Sequence, residues 1–464
     1  MQSTAIIWLR RDLRLDDHFA FRSANDIDAK ILPIFIFDKE ILKNFRNKND
    51  KRISFLIDRI KFLNKKLEKH NVQILTLHGN PVQILSDLIK NLKPTHLIAA
   101  AGYEAYDIDR DQKVSDICKK ENVNFLTQND HLIFPPDTVL KNDGTPYEVF
   151  TPYSRKLYQQ INDTTYAEYK VKEYAPWKIT LPAIFDNSQL NLNDNVNTVL
   201  NQIGYEYIKY DPWNIEFENT HVKKFISNLS TYQKNRNFPH LQSTSQFSPY
   251  LRFGFISIRQ CLRISMGNPE AYTWISELIW RDFYAMALFF YPECQSQERN
   301  KKYRSLEWNK DKNLFEKFSN GQTGYPIVDA AMRQLKEIGW VHNRCRMIAA
   351  SFLTKHLLLD WRMGEELYSQ YLMDYELSSN VGGWQWAAST GFDAQPYFRI
   401  FNPYLQSKKF DPEGLYIKKY VKELKNVPAK YIHEPKKYDS SLNYPDPIVN
   451  HEIARKCALE FYRS

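Results

Sequence analysis

The chain has 464 residues, 43% of them hydrophobic and 25% charged, a composition that excludes global disorder. No apolar run approaches the ~20 residues needed to span a bilayer, and Ala5–Leu9 is too short and too charged behind to be a secretory signal, so a cytoplasmic protein without a membrane partner is expected. Lys and Arg number 63 against 54 Asp and Glu, and the net charge of +9 fits either a nucleic-acid partner or a merely basic enzyme.

The first third alternates strand and helix patterns. Ala5–Leu9 and Ile31–Phe37 are apolar runs of strand length. Lys51–His70 places Ile53, Leu56, Ile57, Ile60, Leu63 and Leu67 at helical spacing. Ile74–Leu77 is a third strand, and Val82, Leu85, Leu88, Ile89 and Leu92 mark another helix. His96–Ala99 and Asn124–Thr127 complete five strands, with Val114–Glu121 in a helix between them. Such alternation predicts an α/β domain over 1–130, a doubly wound parallel sheet of Rossmann-like type. No GxGxxG follows the first strand, so the dinucleotide fingerprint is absent.

From 131 to 205 prolines are frequent and 187–201 is Asn-rich, which reads as a connection between domains. The remainder, 206–464, is predicted to be all-α, with helices over Val222–Leu229, Ile256–Ile264, Trp274–Phe290, Ile327–Ile338, Asn343–Leu359 and Glu365–Leu372. The five cysteines are scattered and form no CxxC, which supports neither a disulfide framework nor a zinc site. Only 14 glycines are present, while aromatic residues reach 14%.

Four polar constellations stand out in the helical half. Thr244, Ser245 and Ser248 put three hydroxyls before a helical pattern, suited to a phosphate or to ordinary capping. Glu277 and Arg281 are four apart and share one helix face, which suits a structural ion pair or, with Trp280 beside them, recognition of a planar polar ligand. His342, Asn343, Arg344 and Arg346 open a helix. Asn343 and Met347 are one turn apart, and a buried Arg346 needs a carboxylate, for which Asp374 is the candidate. Asn380–Trp386 contains Gly382-Gly383 and two tryptophans two apart, which implies close backbone approach. With Trp361 and Trp308 these tryptophans read as core, as a stacking platform or as an aromatic relay.

Several long motifs in order resemble the photolyase and cryptochrome family. Trp8–Arg14 is similar to its WFRxDLR start, Thr244–Ser248 to its flavin-phosphate segment, and Glu277–Tyr284 to its ELIWREFY helix. Thr323–Arg333, Trp340–Met347, Asn380–Trp386 and Tyr397–Pro403 also match. The similarity is densest over 232–410, and the chain most resembles class I cyclobutane pyrimidine dimer photolyases.

That resemblance implies an antenna domain, a helical FAD domain, and a carbon-carbon lyase driven by light through electron transfer from FADH⁻ to a dimer flipped out of DNA. It assigns Tyr232, Thr244, Ser245, Gln246, Phe247 and Ser248 to the adenine and phosphates. Arg281, Asn343, Arg346, Asp374, Tyr375, Glu376 and Asn380 go to the rest of the FAD, with Asn380 facing flavin N5. Glu277 would touch both flavin and dimer, while Trp280, Asn343, Met347 and Trp386 would form the dimer pocket. Arg236, Arg344, Arg399 and Gln406 would meet the DNA. Trp384, Trp361 and Trp308 would carry electrons to the flavin. Gln246 stands where Arg is frequent, and Tyr375-Glu376 where Gly-Asp is common. Tyr106-Asp107 replaces the Asn-Glu of folate-binding members, leaving Asp107 as a contact for an antenna that is a deazaflavin, another flavin or absent. A monomer and no metal site are expected. The competing readings are a cryptochrome-type photoreceptor, a six-four photolyase and a non-catalytic nucleic-acid-binding module.

Overall fold

The computed structural model describes residues 2–217 and 219–463. Strands β1 (Thr4–Leu9), β2 (Lys30–Asp38), β3 (Leu75–Gly79), β4 (His96–Ala100) and β5 (Asn124–Gln128) form one sheet in the order β3-β2-β1-β4-β5. All four pairings are parallel, and Ile6 lies between Leu32 and Leu97 at the centre. Every residue from Ala5 to Leu9 is buried, as expected for a strand covered on both faces. The covering helices include α1 (Phe19–Asp26), α2 (Lys51–Leu67), α3 (Pro81–Leu92) and α4 (Ala105–Lys120). The first of these has no Ser, Thr, Asp or Asn start signal; His18 caps it by accepting from the amides of Ala20 and Phe21.

By packing, the chain divides into two compact units that interleave along the sequence. One comprises the chain up to Val139, with Arg155–Val222 and Gln246–Pro269; the other comprises Leu140–Ser154, Lys223–Ser245 and the chain from Glu270. Much of 131–205, expected as a connection, is therefore part of the sheet unit. Pro176 bridges to Ile31 and Gln189 to Leu77, while Trp177, Ile179, Leu181 and Phe185 pack on the sheet core. The segment from Gln246 to Pro269, expected within the helical half, is held in the sheet unit by buried ion pairs. Arg259 donates to Asp17 and Asp130 at 2.7 Å each, Arg263 pairs with Asp17 at 2.7 Å, and Arg14 also reaches Asp130. Gly254, at φ +67°, lies where a Cβ would stand 2.1 Å from the Arg11 carbonyl oxygen, so only glycine fits.

The second unit is helical. It contains α5 (Tyr272–Phe290), α6 (Pro326–Ile338), α7 (Asn343–Lys355), α8 (Trp361–Tyr371), α9 (Leu377–Ala387), α10 (Pro403–Phe410) and α11 (His451–Phe461). Its core gathers Ile327, Val328, Leu335, Ile348, Phe352, Leu353, Trp361 and Trp384. Each large apolar side chain so buried stabilises the fold by roughly 1.5–3 kcal/mol. The 323–333 run builds its own helix start: Asp329 Oδ1 accepts from the Thr323 amide and hydroxyl, and its Oδ2 accepts from the Gly324 amide and the Tyr444 hydroxyl. α7 stops at Lys355, four residues short of the expected Leu359, because the backbone turns to φ +53° at Leu358. Among the described residues no helix is long and apolar enough to cross a membrane.

Candidate functional site

The polar residues of α5 find partners outside their own helix. Glu277 Oε1 accepts from Arg236 Nη1 at 2.6 Å. Arg281 makes a two-pronged pair with Glu376, Nε to Oε2 at 2.7 Å and Nη2 to Oε1 at 2.8 Å. The Glu277–Arg281 ion pair that the spacing allows is thus not the one formed: planar guanidinium-carboxylate pairing satisfies Arg281 better than one turn of helix spacing allows. Burial pushes the Glu277 carboxyl up from its ordinary range, against the opposing pull of Arg236. Trp280 is stacked on Phe150 at 3.7 Å and 6°.

The mouth of α7 gathers the second group. His342 caps this helix, its Nδ1 accepting from the Arg344 amide at 3.2 Å. Burial, with Arg344 and Arg346 nearby, drives its pKa down to about 3, so the ring is neutral at physiological pH. Asn343 Nδ2 lies 3.8 Å from Met347 Sδ, joining these two side chains as their spacing implies. Arg346 donates to the Val341 carbonyl at 2.7 Å and to Asp374 Oδ2 at 2.7 Å, which bears out Asp374 as its carboxylate. The other oxygen of Asp374 is buried without a hydrogen-bond partner.

The third group lies on α8 and α9. Asn380 directs its amide nitrogen to Glu365, donating to the backbone oxygen at 3.1 Å and to Oε1 at 3.0 Å. Tyr375 donates to the same Oε1 at 3.0 Å. With both N–H bonds of Asn380 engaged, what its side chain can offer a ligand is the Oδ1 acceptor. Burial raises the Glu365 carboxyl. Of the paired glycines only Gly382 is forced by contact, since a Cβ there would lie 2.2 Å from the Tyr284 ring, whereas Gly383 faces open space. Both sit inside a helix, with Trp384 in the core and Trp386 half-buried at its edge. Trp361 and Trp308 are buried as well.

Other expected residues are placed as follows. Tyr232 is buried, with Arg236 over its ring at 5.7 Å. The division between the two packed units falls between Ser245 and Gln246, so Thr244 and Ser245 belong to the helical unit and Gln246, Phe247 and Ser248 to the sheet unit. Gln246 holds φ +53°, a left-handed conformation that costs a residue with a side chain about 1–2 kcal/mol. Of the arginines expected to meet DNA, Arg399 is exposed. Arg236 is engaged by Glu277, and Arg344 donates to Asn237 Oδ1 at 2.8 Å while lying over Phe410. Gln406 is half-buried on α10. In the sheet unit Asp107 pairs with Arg110 at 3.0 Å, and Tyr106 donates to Asp38 at 2.6 Å.

Sequence reasoning missed Glu365, Glu298, Phe150 and Asn237. Glu365 is 15 positions from Asn380, and nothing in the pattern of either segment links them. Phe150 meets Trp280 from 130 positions away, beyond the reach of any periodicity. Spacing offers one weak signal: Trp361, Gly364, Glu365 and Tyr368 fall on one helical stripe, which marks Glu365 as facing inward.

Two family models match the chain. One described as DNA photolyase covers residues 5–172, and one described as the FAD binding domain of DNA photolyase covers 274–464. The deoxyribodipyrimidine photo-lyase of Alkalihalophilus pseudofirmus is 37% identical over 99% of this chain and 98% of its own. A class III photolyase from Agrobacterium tumefaciens superposes with a TM-score of 0.87 at 30% identity, covering 100% of this chain and 98% of that one. An archaeal photolyase from Sulfolobus tokodaii with two FAD molecules superposes with a TM-score of 0.84 at 28% identity over 99% of each chain.

Proposed function

Because this chain belongs to the DNA photolyase family, we propose that it repairs cyclobutane pyrimidine dimers in DNA by light-driven electron transfer, with FAD as its cofactor. The carrying observation is a set of polar groups in the helical unit with unfilled bonding capacity: the buried Asp374 oxygen, the Asn380 Oδ1 and the lifted Glu277 carboxyl. Buried polar atoms are normally paired, so an orphaned acceptor beside a fixed arginine fits a ligand that brings its own donors. These residues fit FAD. Asp374 would accept from its hydroxyl or ring N–H groups, Arg346 and the Arg281–Glu376 pair would hold the walls around it, and Asn380 would accept from a protonated ring nitrogen. When bound, FAD supplies light absorption and one-electron chemistry, which no side chain here can supply. A further chromophore in the sheet unit remains part of the proposal, with Asp107 beside it.

The chain's own groups then position and stabilise. Arg236 holds the Glu277 carboxyl in one orientation. Glu277 so held would hydrogen-bond the dimer, whose carbonyl oxygen gains negative charge as it takes up an electron. Asn343 and Met347 form one polar and one soft apolar contact for the lesion. Trp280 and Trp386 offer flat apolar surface. Trp384, Trp361 and Trp308 are read as a relay carrying electrons inward from the surface.

The six-four lesion needs an oxygen transferred, and hence a proton shuttle. Asn343 is an amide, and an amide cannot act as a proton-shuttling acid at neutral pH. The adjacent imidazole, His342, is tied down as a helix cap and held neutral. Illumination of the reduced protein with each lesion separately, scored by chromatography of the oligonucleotides, tests this reading. Thymine dimer repair without six-four repair is expected. Absence of dimer repair with flavin confirmed present would overturn it in favour of a photoreceptor.

A further inference from the structure

Between the two outer tryptophans lies a charge that the family motifs do not include. Glu298 is buried in a non-helical segment, its backbone oxygen held by Arg304 Nε at 3.0 Å. Its Oε1 accepts from the indole Nε1 of Trp361 at 3.2 Å and from that of Trp308 at 3.4 Å. Its Oε2 accepts from Arg362 Nη2 at 2.8 Å. One carboxylate oxygen is thus shared by two indole N–H groups from segments 53 positions apart. Arg362 in turn pairs with Asp360 at 2.9 Å, donates to the Ser296 carbonyl at 2.6 Å and places its guanidinium 4.7 Å from the Trp361 ring centroid. Among the described residues no cation is stacked on Trp308. Although burial opposes it, the hydrogen bond from Arg362 leads in holding the Glu298 carboxyl below its ordinary range, so it is an anion at neutral pH.

The inner end of the relay is set by a glycine. A Cβ at Gly364 would stand 2.1 Å from the Trp384 ring, and Tyr368 packs edge-on to the same ring at 4.9 Å. Trp361, Gly364 and Tyr368 share one stripe of α8, so Trp384 is seated one turn along from Trp361.

We propose that Glu298 is the positioning residue of the tryptophan relay, locking the Trp361 and Trp308 indoles together and stabilising the positive charge each carries after losing an electron, while Arg362 biases that charge outward from Trp361 to Trp308. The inference rests on the relay reading given under Proposed function. The bookkeeping is one electron at each step. With flavin bound, Trp384 would give one electron to it on illumination, Trp361 would refill Trp384, Trp308 would refill Trp361, and a thiol reductant in solution would refill Trp308. No covalent bond forms or breaks, and Glu298 and Arg362 keep their charges. An oxidised indole is positively charged, so a carboxylate on its N–H lowers the energy of that state. A guanidinium over the ring raises it. Trp361 feels both and Trp308 only the first, so the positive charge runs outward, where the reductant can neutralise it before it returns.

The test compares flavin photoreduction in the parent, Glu298→Gln, Arg362→Gln and Trp361→Phe, each checked for flavin content and thermal midpoint. Glu298→Gln keeps an oxygen acceptor and removes the charge. Its photoreduction yield is expected to fall about tenfold, equivalent to ~1.4 kcal/mol of lost stabilisation, and transient absorption should show a shorter-lived tryptophan radical. In flavin-free protein the indole N–H resonances of both Trp308 and Trp361 should move together in the nuclear magnetic resonance spectrum, which follows the shared oxygen independently of any light reaction. If Glu298→Gln does not fold, Arg362→Gln carries the test: the carboxylate stays, the cation over Trp361 goes, and the yield falls by less. Parental yield and radical lifetime in folded Glu298→Gln, with Trp361→Phe inactive in photoreduction, would overturn the proposal. Parental photoreduction in Trp361→Phe would instead overturn the relay reading beneath it.

Discussion

The sheet unit and the helical unit both bury charge, and the helical unit leaves part of it unmet. In the sheet unit Asp17 and Asp130 are surrounded by Arg14, Arg259, Arg263 and Ser257, and carboxylate oxygens and guanidinium nitrogens answer one another. The same closure holds at its sheet edge, where Arg10 grips Asp111, and Arg110 spans Asp107 and Asp111. In the helical unit Arg281 with Glu376 and Glu298 with Arg362 are closed in the same way, but two carboxyl groups are not. Asp374 has one oxygen on Arg346 and the other on nothing, and Glu277 has Arg236 yet remains raised. A closed network holds segments together; a half-open one has binding capacity left over.

The comparison breaks first at Asp130. Asp130→Ala leaves Arg14 and Arg259 buried without that partner, and unfolding in denaturant should show a loss of about 3–5 kcal/mol. An unchanged midpoint would mean that the network is ornamental. The equivalent cut in the helical unit should act on the ligand. Asp374→Ala removes a charged hydrogen-bond acceptor worth roughly 1.5–3 kcal/mol, so flavin affinity should fall by about ten- to a hundredfold. Equilibrium dialysis of the refilled protein measures this. A loss of stability with no loss of affinity would place Asp374 among the structural charges.

A smaller effect distinguishes the arginines. Each phosphate neutralised by a cation contributes about one unit to the salt dependence of DNA affinity. Arg399 is exposed, so Arg399→Ala should flatten the slope by about one unit. Arg344, held by Asn237 and Phe410, should change the slope less and the melting temperature more. Smallest is Glu277→Ala, which should lower repair yield per photon by roughly threefold, the size of one hydrogen bond, with flavin content retained.

Acid titration sharpens the same contrast by sign. Although burial opposes it, Arg259, Ser257 and the Tyr169 amide hold the Asp17 carboxyl below its ordinary range. Its stabilising share is therefore full above the unfolded pKa and lost as pH falls through the folded one. Burial raises Glu277, so its contribution is present below its unfolded pKa and lost as pH rises through the folded one. Denaturation curves of Asp17→Asn and Glu277→Gln across the acid range should depart from the parent in opposite directions.

Local pattern was enough for much of the fold. All five strands fall within a few residues of the expected positions, and the central β1 and β2 are legible as continuous hydrophobic stretches because a parallel strand covered on both faces buries every side chain. The long amphipathic helices are legible for the matching reason at period 3.6. α1 escaped because histidine is an unusual cap, and α9 because its two glycines speak against a helix that tertiary packing against Tyr284 nevertheless supports.

The site divides along the same line. Asn343 with Met347 and Arg346 with Asp374 follow from spacing and from the rule that a buried guanidinium needs a carboxylate, and the family resemblance is carried by motifs that are continuous in sequence. The partners of Glu277, Arg281, Asn380 and the outer tryptophans do not follow. Arg236, Glu376, Glu365 and Glu298 each come from another segment, and the chain's periodicity says which face a residue occupies without saying what will stand opposite. Only the packed helices decide that. Burial makes an unmet charge costly, so each charge takes the nearest complementary group that the fold presents, however far away it lies in the sequence.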